Sequence, residues 1–221
     1  VREPDQLALM YEVMPRQKIQ VLTMLWLLPS LLEHHRTKPL EYVSHLLGHE
    51  GPGSLLSELK HRGWGNTITS GVADKGLDFT WFNLEIELTK EGVKNKDAVI
   101  MIVYEYISLI KTEGPVKWRW DEMAQVAQSN FQFLAKEDPS EYAEQLAQNM
   151  QLYGPDHIIS AEMLFEKWDE NVIESVLSQL TPSRMVATLQ TPDLKLELKT
   201  ESESKNTKTA AAKPSKNSLL P

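Results

Sequence analysis

The sequence predicts an α+β domain in which helices pack on one face of a mainly antiparallel sheet. Three observations carry that reading. Segments with apolar residues at every second position are interspersed with longer segments whose apolar residues recur every three or four. Their order is strand, helices, two strands, several helices, strand. After about Thr191 the composition turns to Lys, Glu, Ser, Thr and Ala with almost no bulky residues, which cannot offset the entropy of ordering. One folded domain is therefore expected over 1–190 and a low-complexity, disordered tail over 191–221.

The first element is a strand over Ile19–Leu28, ended by Pro29. Its apolar residues fall on both faces, so it is read as an inner strand. Pro39 suits the first turn of a helix, and Tyr42, Val43, Leu46 and Leu47 form its apolar stripe up to Gly48. A second helix is expected from Pro52, with Leu55, Leu56 and Leu59 inward and Gly63 at its end. Asn66–Val72 and Leu77–Leu88 read as two strands joined by a turn at Ala73-Asp74-Lys75-Gly76. Phe82, Leu84, Ile86 and Leu88 share one face of the longer strand.

From Asp97 to Lys111 the spacing of Ile100, Val103, Ile107 and Ile110 predicts a largely buried helix, closed by Glu113-Gly114-Pro115. Three more helices are expected over Lys117–Lys136, Ser140–Tyr153 and Ala161–Leu180, with Ser140 and Ser160 as N-caps. Met185–Leu189 reads as a closing strand.

The chain has 221 residues, 41% apolar and 24% charged, enough for one sizeable core. It contains no cysteine, which excludes a disulfide frame and a thiolate zinc site and is compatible with a reducing compartment. A formal charge of −8 argues against nucleic acid as a partner, because phosphate binding draws on clustered Lys and Arg. The longest apolar runs are too short to span a bilayer. The chain does not begin with Met, which suggests a start inside a longer chain, and any targeting signal would then lie outside it.

The cluster His45-Leu46-Leu47-Gly48-His49-Glu50 invites a zinc reading, since two His four apart on a helix can share a face. Zinc peptidase helices need Glu directly after the first His or directly before the second. Here Gly48 precedes His49 and the acid comes last. A helix-end hydrogen-bonding role is the better reading, and an autonomous hydrolase built on His45, His49 and Glu50 ranks last. His34-His35 reads as a solvated loop, and His157 as a surface residue. Trp118 and Trp120 lie nearly opposite on a helix, so one packs and the other stays partly exposed. No nucleophile elbow, phosphate-binding loop or dinucleotide motif is present.

Lys38–Leu59, with Gly48-His49-Glu50-Gly51-Pro52-Gly53-Ser54-Leu55-Leu56-Ser57-Glu58-Leu59 at its heart, closely resembles the signature of the second, non-catalytic domain of the insulinase (pitrilysin) family of zinc metallopeptidases. Gly63-Trp64, Leu88–Gly92, Glu113-Gly114-Pro115, Asp138–Tyr142 and Asn149–Tyr153 continue the likeness, which spans roughly Asp5 to Leu189. Several of these segments look more like the nardilysin branch than the insulysin branch.

The resemblance implies homologous α+β domains that close around a peptide, with zinc held by an H-x-x-E-H helix in a preceding domain. No cofactor is expected in this chain, which should be inactive alone. Its implied partners are a peptide substrate and other insulinase-type domains, and its implied location is cytoplasmic. The family comparison assigns it an exosite for the substrate's N-terminal end, lined by His45, Gly48 and Glu50, with the strand around Ile68 and Ser70 pairing with the peptide backbone. The chain departs from the insulysin pattern at Ser70-Gly71, where that branch has Gly-Gly, and at Val72, which replaces Gln. The alternative is an inactive scaffold or subunit, homologous to processing-peptidase and respiratory-complex core proteins.

Overall fold

A computed structural model describes residues 8–192. Apart from Thr191 and Pro192, the expected tail lies outside the described residues. Five strands form one sheet: β1 (Leu9–Val13), β2 (Val21–Pro29), β3 (Gly65–Lys75), β4 (Phe79–Leu88) and β5 (Met185–Gln190). Their order is β1-β5-β2-β4-β3, with β1 parallel to β5 and the other pairings antiparallel. β2 is central and inner, as its two-sided apolar pattern requires.

Cross-strand rows explain why the register is fixed. Leu189, Leu22, Ile86 and Ile68 stand side by side, as do Ala187, Met24, Leu84 and Ser70, and then Met185, Trp26, Phe82 and Val72. Most of these side chains are buried, whereas the intervening positions of β2 and β5 are only half-buried. A slip of one residue would turn the buried set toward the open face.

The buried face is covered by α1 (Pro39–Leu47), α2 (Leu55–His61), α4 (Lys96–Glu113) and α7 (Glu170–Gln179), which contribute Tyr42, Val43, Leu56, Leu59, Val103, Ile107, Ile173 and Leu177 to one core. α2 starts after Ser54, whose Oγ accepts from the Ser57 amide, rather than at Pro52. It ends in paired bonds from the Gly63 amide to Lys60 O and from the Trp64 amide to Leu59 O. Gly63 takes φ +71°, a geometry that suits glycine. β3 runs on through Ala73-Asp74-Lys75, so the hairpin turn falls at Gly76–Asp78. α4 buries the predicted stripe but leaves Met101 and Leu109 exposed.

Other elements depart from the sequence reading. β1 and the short α3 (Lys90–Lys94) are additional, and α5 (Lys117–Gln132) stops short of Lys136. α6 (Pro139–Leu152) is capped by Asp138, whose carboxylate accepts from the Ser140 and Glu141 amides, so Ser140 is not the cap. Over 161–169 there is no regular helix. Phe165 and Trp168 are drawn onto Trp120, with ring centroids 5.7 and 6.0 Å away, while the Glu166 and Lys167 amides donate to Arg36 O. Trp120 is buried and donates through Nε1 to Thr37 O at 2.9 Å, whereas Trp118 is exposed, as the helical spacing implies.

His34-His35 is no solvated loop, nor is His157 a plain surface residue. Leu32–His34 form a 3₁₀ turn, and the His35 ring packs 5.2 Å from Tyr153 and 5.1 Å from His157.

Candidate functional site

The C-terminal end of α1 lies against β3, the outermost strand on its side of the sheet. A helix carries residues four apart on one stripe, so Ser44 and Gly48 share the stripe that meets the strand. Ser44 Oγ donates to Ser70 O at 2.6 Å, and Ser70 Oγ donates back to Ser44 O at 2.9 Å. A Cβ on Gly48 would lie 3.1 Å from Ser44 O and 3.3 Å from Ser70 Oγ, so the absent side chain is what lets helix and strand meet this closely.

β3 is 11 residues long, and register shifts between Gly65 and Thr67 and between Val72 and Asp74 bracket a regular stretch at its middle. An edge strand of this length leaves one row of N–H and C=O groups unpaired by the sheet. The Ile68 side chain is 4% exposed and turned into the core, so that residue offers only main chain. The Ser70 carbonyl already accepts one hydroxyl proton, and its second lone pair remains.

His45 stands apart from this contact. It is exposed on the neighbouring stripe of α1 and lines a cleft of about 340 Å³ with Tyr106, Trp118, Arg119 and Glu122. Burial and the nearby His49 hold its pKa below the ordinary imidazole value, favouring the neutral form. Glu50 is exposed, with no ion pair among the described residues. The structure thus joins Gly48 to Ser70, buries the Ile68 side chain two residues before it on the edge strand, and leaves His45 and Glu50 on the exposed end of the helix. Ser44, the residue that makes the contact, was missed in the sequence; its only signal is a position four before Gly48.

The His45 and His49 rings are 6.2 Å apart and edge-on, and His49 Nδ1 accepts from the Gly51 amide at 3.0 Å. Among the described residues no group of three His, Cys, Asp or Glu could hold a metal ion, so the donor set does not fit zinc. No helix of the described residues is long and apolar enough to cross a membrane.

Comparison with known proteins supports the same fold and motif. Residues 1–149 match the family model described as the peptidase M16 inactive domain, and residues 131–218 match the middle or third domain of peptidase M16. Nardilysin of Homo sapiens is 35% identical over 179 residues, which cover 79% of this chain and 16% of the relative. The insulin-degrading enzyme of Drosophila melanogaster is 32% identical over 173 residues, covering 78% of this chain and 18% of the relative. The chain therefore spans less than a fifth of the length of these relatives. The crystal structure of pitrilysin superposes with a TM-score of 0.81 at 22% identity, over 87% of this chain and 21% of that one. The chain belongs to the M16, or insulinase, family of metallopeptidases, nardilysin-like in sequence, and carries its inactive-domain and middle-domain regions.

Proposed function

We propose that this region grips the N-terminal part of an extended peptide by adding it as a strand to the free edge of β3, and takes no part in bond cleavage itself. The observation that carries the reading is the long edge strand buttressed by α1 through the Ser44–Ser70 contact. Main-chain pairing is indifferent to peptide sequence, so such an edge recognises an extended chain rather than particular residues. Ile68 and Ser70 supply the main chain, Gly48 permits the close packing behind them, and the Glu50 carboxylate is available to a free α-amino group. His45 forms the adjoining wall.

Tethering one end of a substrate raises the effective concentration of the bonds a fixed distance away, which is useful to a metal site in another domain. The hydrolytic zinc of an M16 peptidase would be held outside this chain, in a domain that packs against this one.

The test is fluorescence anisotropy with a labelled decapeptide bearing either a free or an acetylated N-terminus. A free end is expected to bind about tenfold more tightly, as one charge-assisted contact provides. Glu50→Gln should erase that difference. Equal affinity for the two peptides would remove the amino-end anchor. No binding of either, together with a stable complex with other M16 domains, would favour the scaffold reading.

A further inference from the structure

Beyond Val72, the edge strand runs into a cleft of about 290 Å³ formed by the start of α1, the end of β3 and the segment after α6. Lys38, Glu41, His35, Val72, Lys75 and Tyr153 line it. We propose that this cleft binds a carboxylate, supplied by an acidic side chain of the peptide docked on β3; the inference rests on the edge-strand reading above.

Lys38 is the centre of the argument. It is only 4% exposed, and it takes φ +51°, the left-handed region that L side chains disfavour. Its ammonium has three N–H groups to satisfy. Nζ donates to Ala161 O at 2.9 Å and lies 6.0 Å over the Phe165 ring, while the nearest carboxylate oxygen, Glu41 Oε1, is 3.8 Å away and beyond hydrogen-bond reach. Among the described residues the buried cation thus has one hydrogen bond, with Glu41 at 3.8 Å and Glu162 and Glu166 acting on it from further off. Burial holds its pKa below the usual lysine value, the mark of a charge that has lost water without full replacement.

A second observation points to the same place. His35 Nε2 is buried with no hydrogen-bond partner among the described residues, while Nδ1 lies 2.9 Å from Leu32 O. Leu32 O can only accept, so Nδ1 carries the proton there and Nε2 is a polar atom left unpaired at the cleft wall. Lys75 is already matched, to Glu162 at 2.7 Å and Tyr153 Oη at 3.3 Å, and therefore adds bulk and shape rather than free charge.

These features select the ligand. The buried Lys38 ammonium favours an anion, and the volume sits at the small end of ligand sites, which run from about 300 to 1,000 Å³. It suits a single side chain. Glu41, 46% exposed, is free to swing into water, so it acts as an internal stand-in that a ligand carboxylate displaces. Val72 and Ser70 are two residues apart on the same face of β3, one side-chain repeat of about 6.8 Å. The acidic side chain therefore belongs about two residues along the peptide from the one opposite Ser70.

The experiment measures binding of the 221-residue chain to fluorescein-labelled decapeptides of alanine and serine, in which a single Glu is moved along the sequence and each peptide has a Gln twin. One register should favour Glu over Gln by about tenfold. Lys38→Met, which keeps the aliphatic stem, should abolish that preference, and Glu41→Gln, an exposed change, should enlarge it. Peptides that bind with no Glu preference in any register would overturn the carboxylate pocket alone. No binding by any peptide would overturn the edge-strand reading and this inference with it. A Glu preference that survives Lys38→Met in a chain with unchanged unfolding temperature would also overturn it.

Discussion

Replacing Gly48 by alanine probes the helix–strand contact on which the candidate site rests. Gly48 has φ −85° and ψ 3°, which an alanine accepts, so no backbone penalty arises. Taken alone, the substitution should stabilise by about 0.4–1 kcal/mol through the unfolded chain. Against this, the new methyl would sit 3.3 Å from Ser70 Oγ and 3.1 Å from Ser44 O. The Ser70 hydroxyl and the Ser44 carbonyl must give by a few tenths of an ångström, which weakens the reciprocal hydrogen bonds, each worth about 0.5–1.5 kcal/mol. With both bonds weakened by about 1 kcal/mol each and a gain of about 0.7 kcal/mol, the net expectation is a loss of about 1 kcal/mol, read by urea unfolding as a lower midpoint with unchanged slope. The decisive arm is a double-mutant cycle with Ser70→Ala, which removes the colliding hydroxyl. Gly48→Ala should then cost about 1 kcal/mol less than in the parent. Strict additivity, or a Gly48→Ala chain more stable than the parent, would refute the reasoning.

Other perturbations test separate parts of the structure. Burial opposes charge on both Lys75 and Glu162, yet their mutual hydrogen bond prevails, raising the lysine pKa and lowering the carboxylate's. Glu162 therefore adds stability above its unfolded value near 4.5, lost as pH falls through the lowered folded value, and Lys75 adds stability below 10.5, lost as pH rises through the raised one. With side chains 40% and 30% exposed, the pair contributes about 0.5–1 kcal/mol. Glu162→Gln should lower Tm by about 1–4 °C at pH 7 and by progressively less as the pH falls below 4.5, measured by calorimetry. Trp120→Phe removes the donor to Thr37 O and leaves that carbonyl buried, so unfolding titrations should show a loss of about 1–3 kcal/mol. Gly63→Ala meets open space but a left-handed backbone at φ +71°, so thermal unfolding should register a cost of about 1–2 kcal/mol, all of it conformational.

Much of the fold was legible because its signals are local. The continuous apolar run of β2, the alternation in β4 and the three-to-four spacing in α4 depend only on which faces meet the core. β1 was illegible, because Leu9–Val13 has no strict alternation and is held by parallel pairing to β5, far along the chain. The 161–169 stretch has helical composition, but its aromatic residues gain more by packing on Trp120 and Tyr42 than a further helical turn would provide. The hairpin turn moved by three residues because a bulge after Val72 lets β3 continue through turn-forming residues.

At the candidate site, Gly48 and Glu50 were singled out through a long family motif and Ser70 through the strand that the same resemblance implies, none of them through periodicity. Ser44 lies inside that motif but was not singled out, since a serine in a helix is unremarkable until its partner across 26 residues is known. The cleft around Lys38 is drawn from four separated segments, and its central feature, a buried ammonium, is invisible in a lysine read as part of a helix start.

The account stands most directly on amide hydrogen exchange along β3 with and without a saturating extended peptide. Strand addition predicts new protection at alternate amides within Thr67–Val72, the ones β4 does not already engage, and no change at β1 on the far edge. Bound peptide that leaves those amides exchanging as before, or that protects β1 instead, contradicts it.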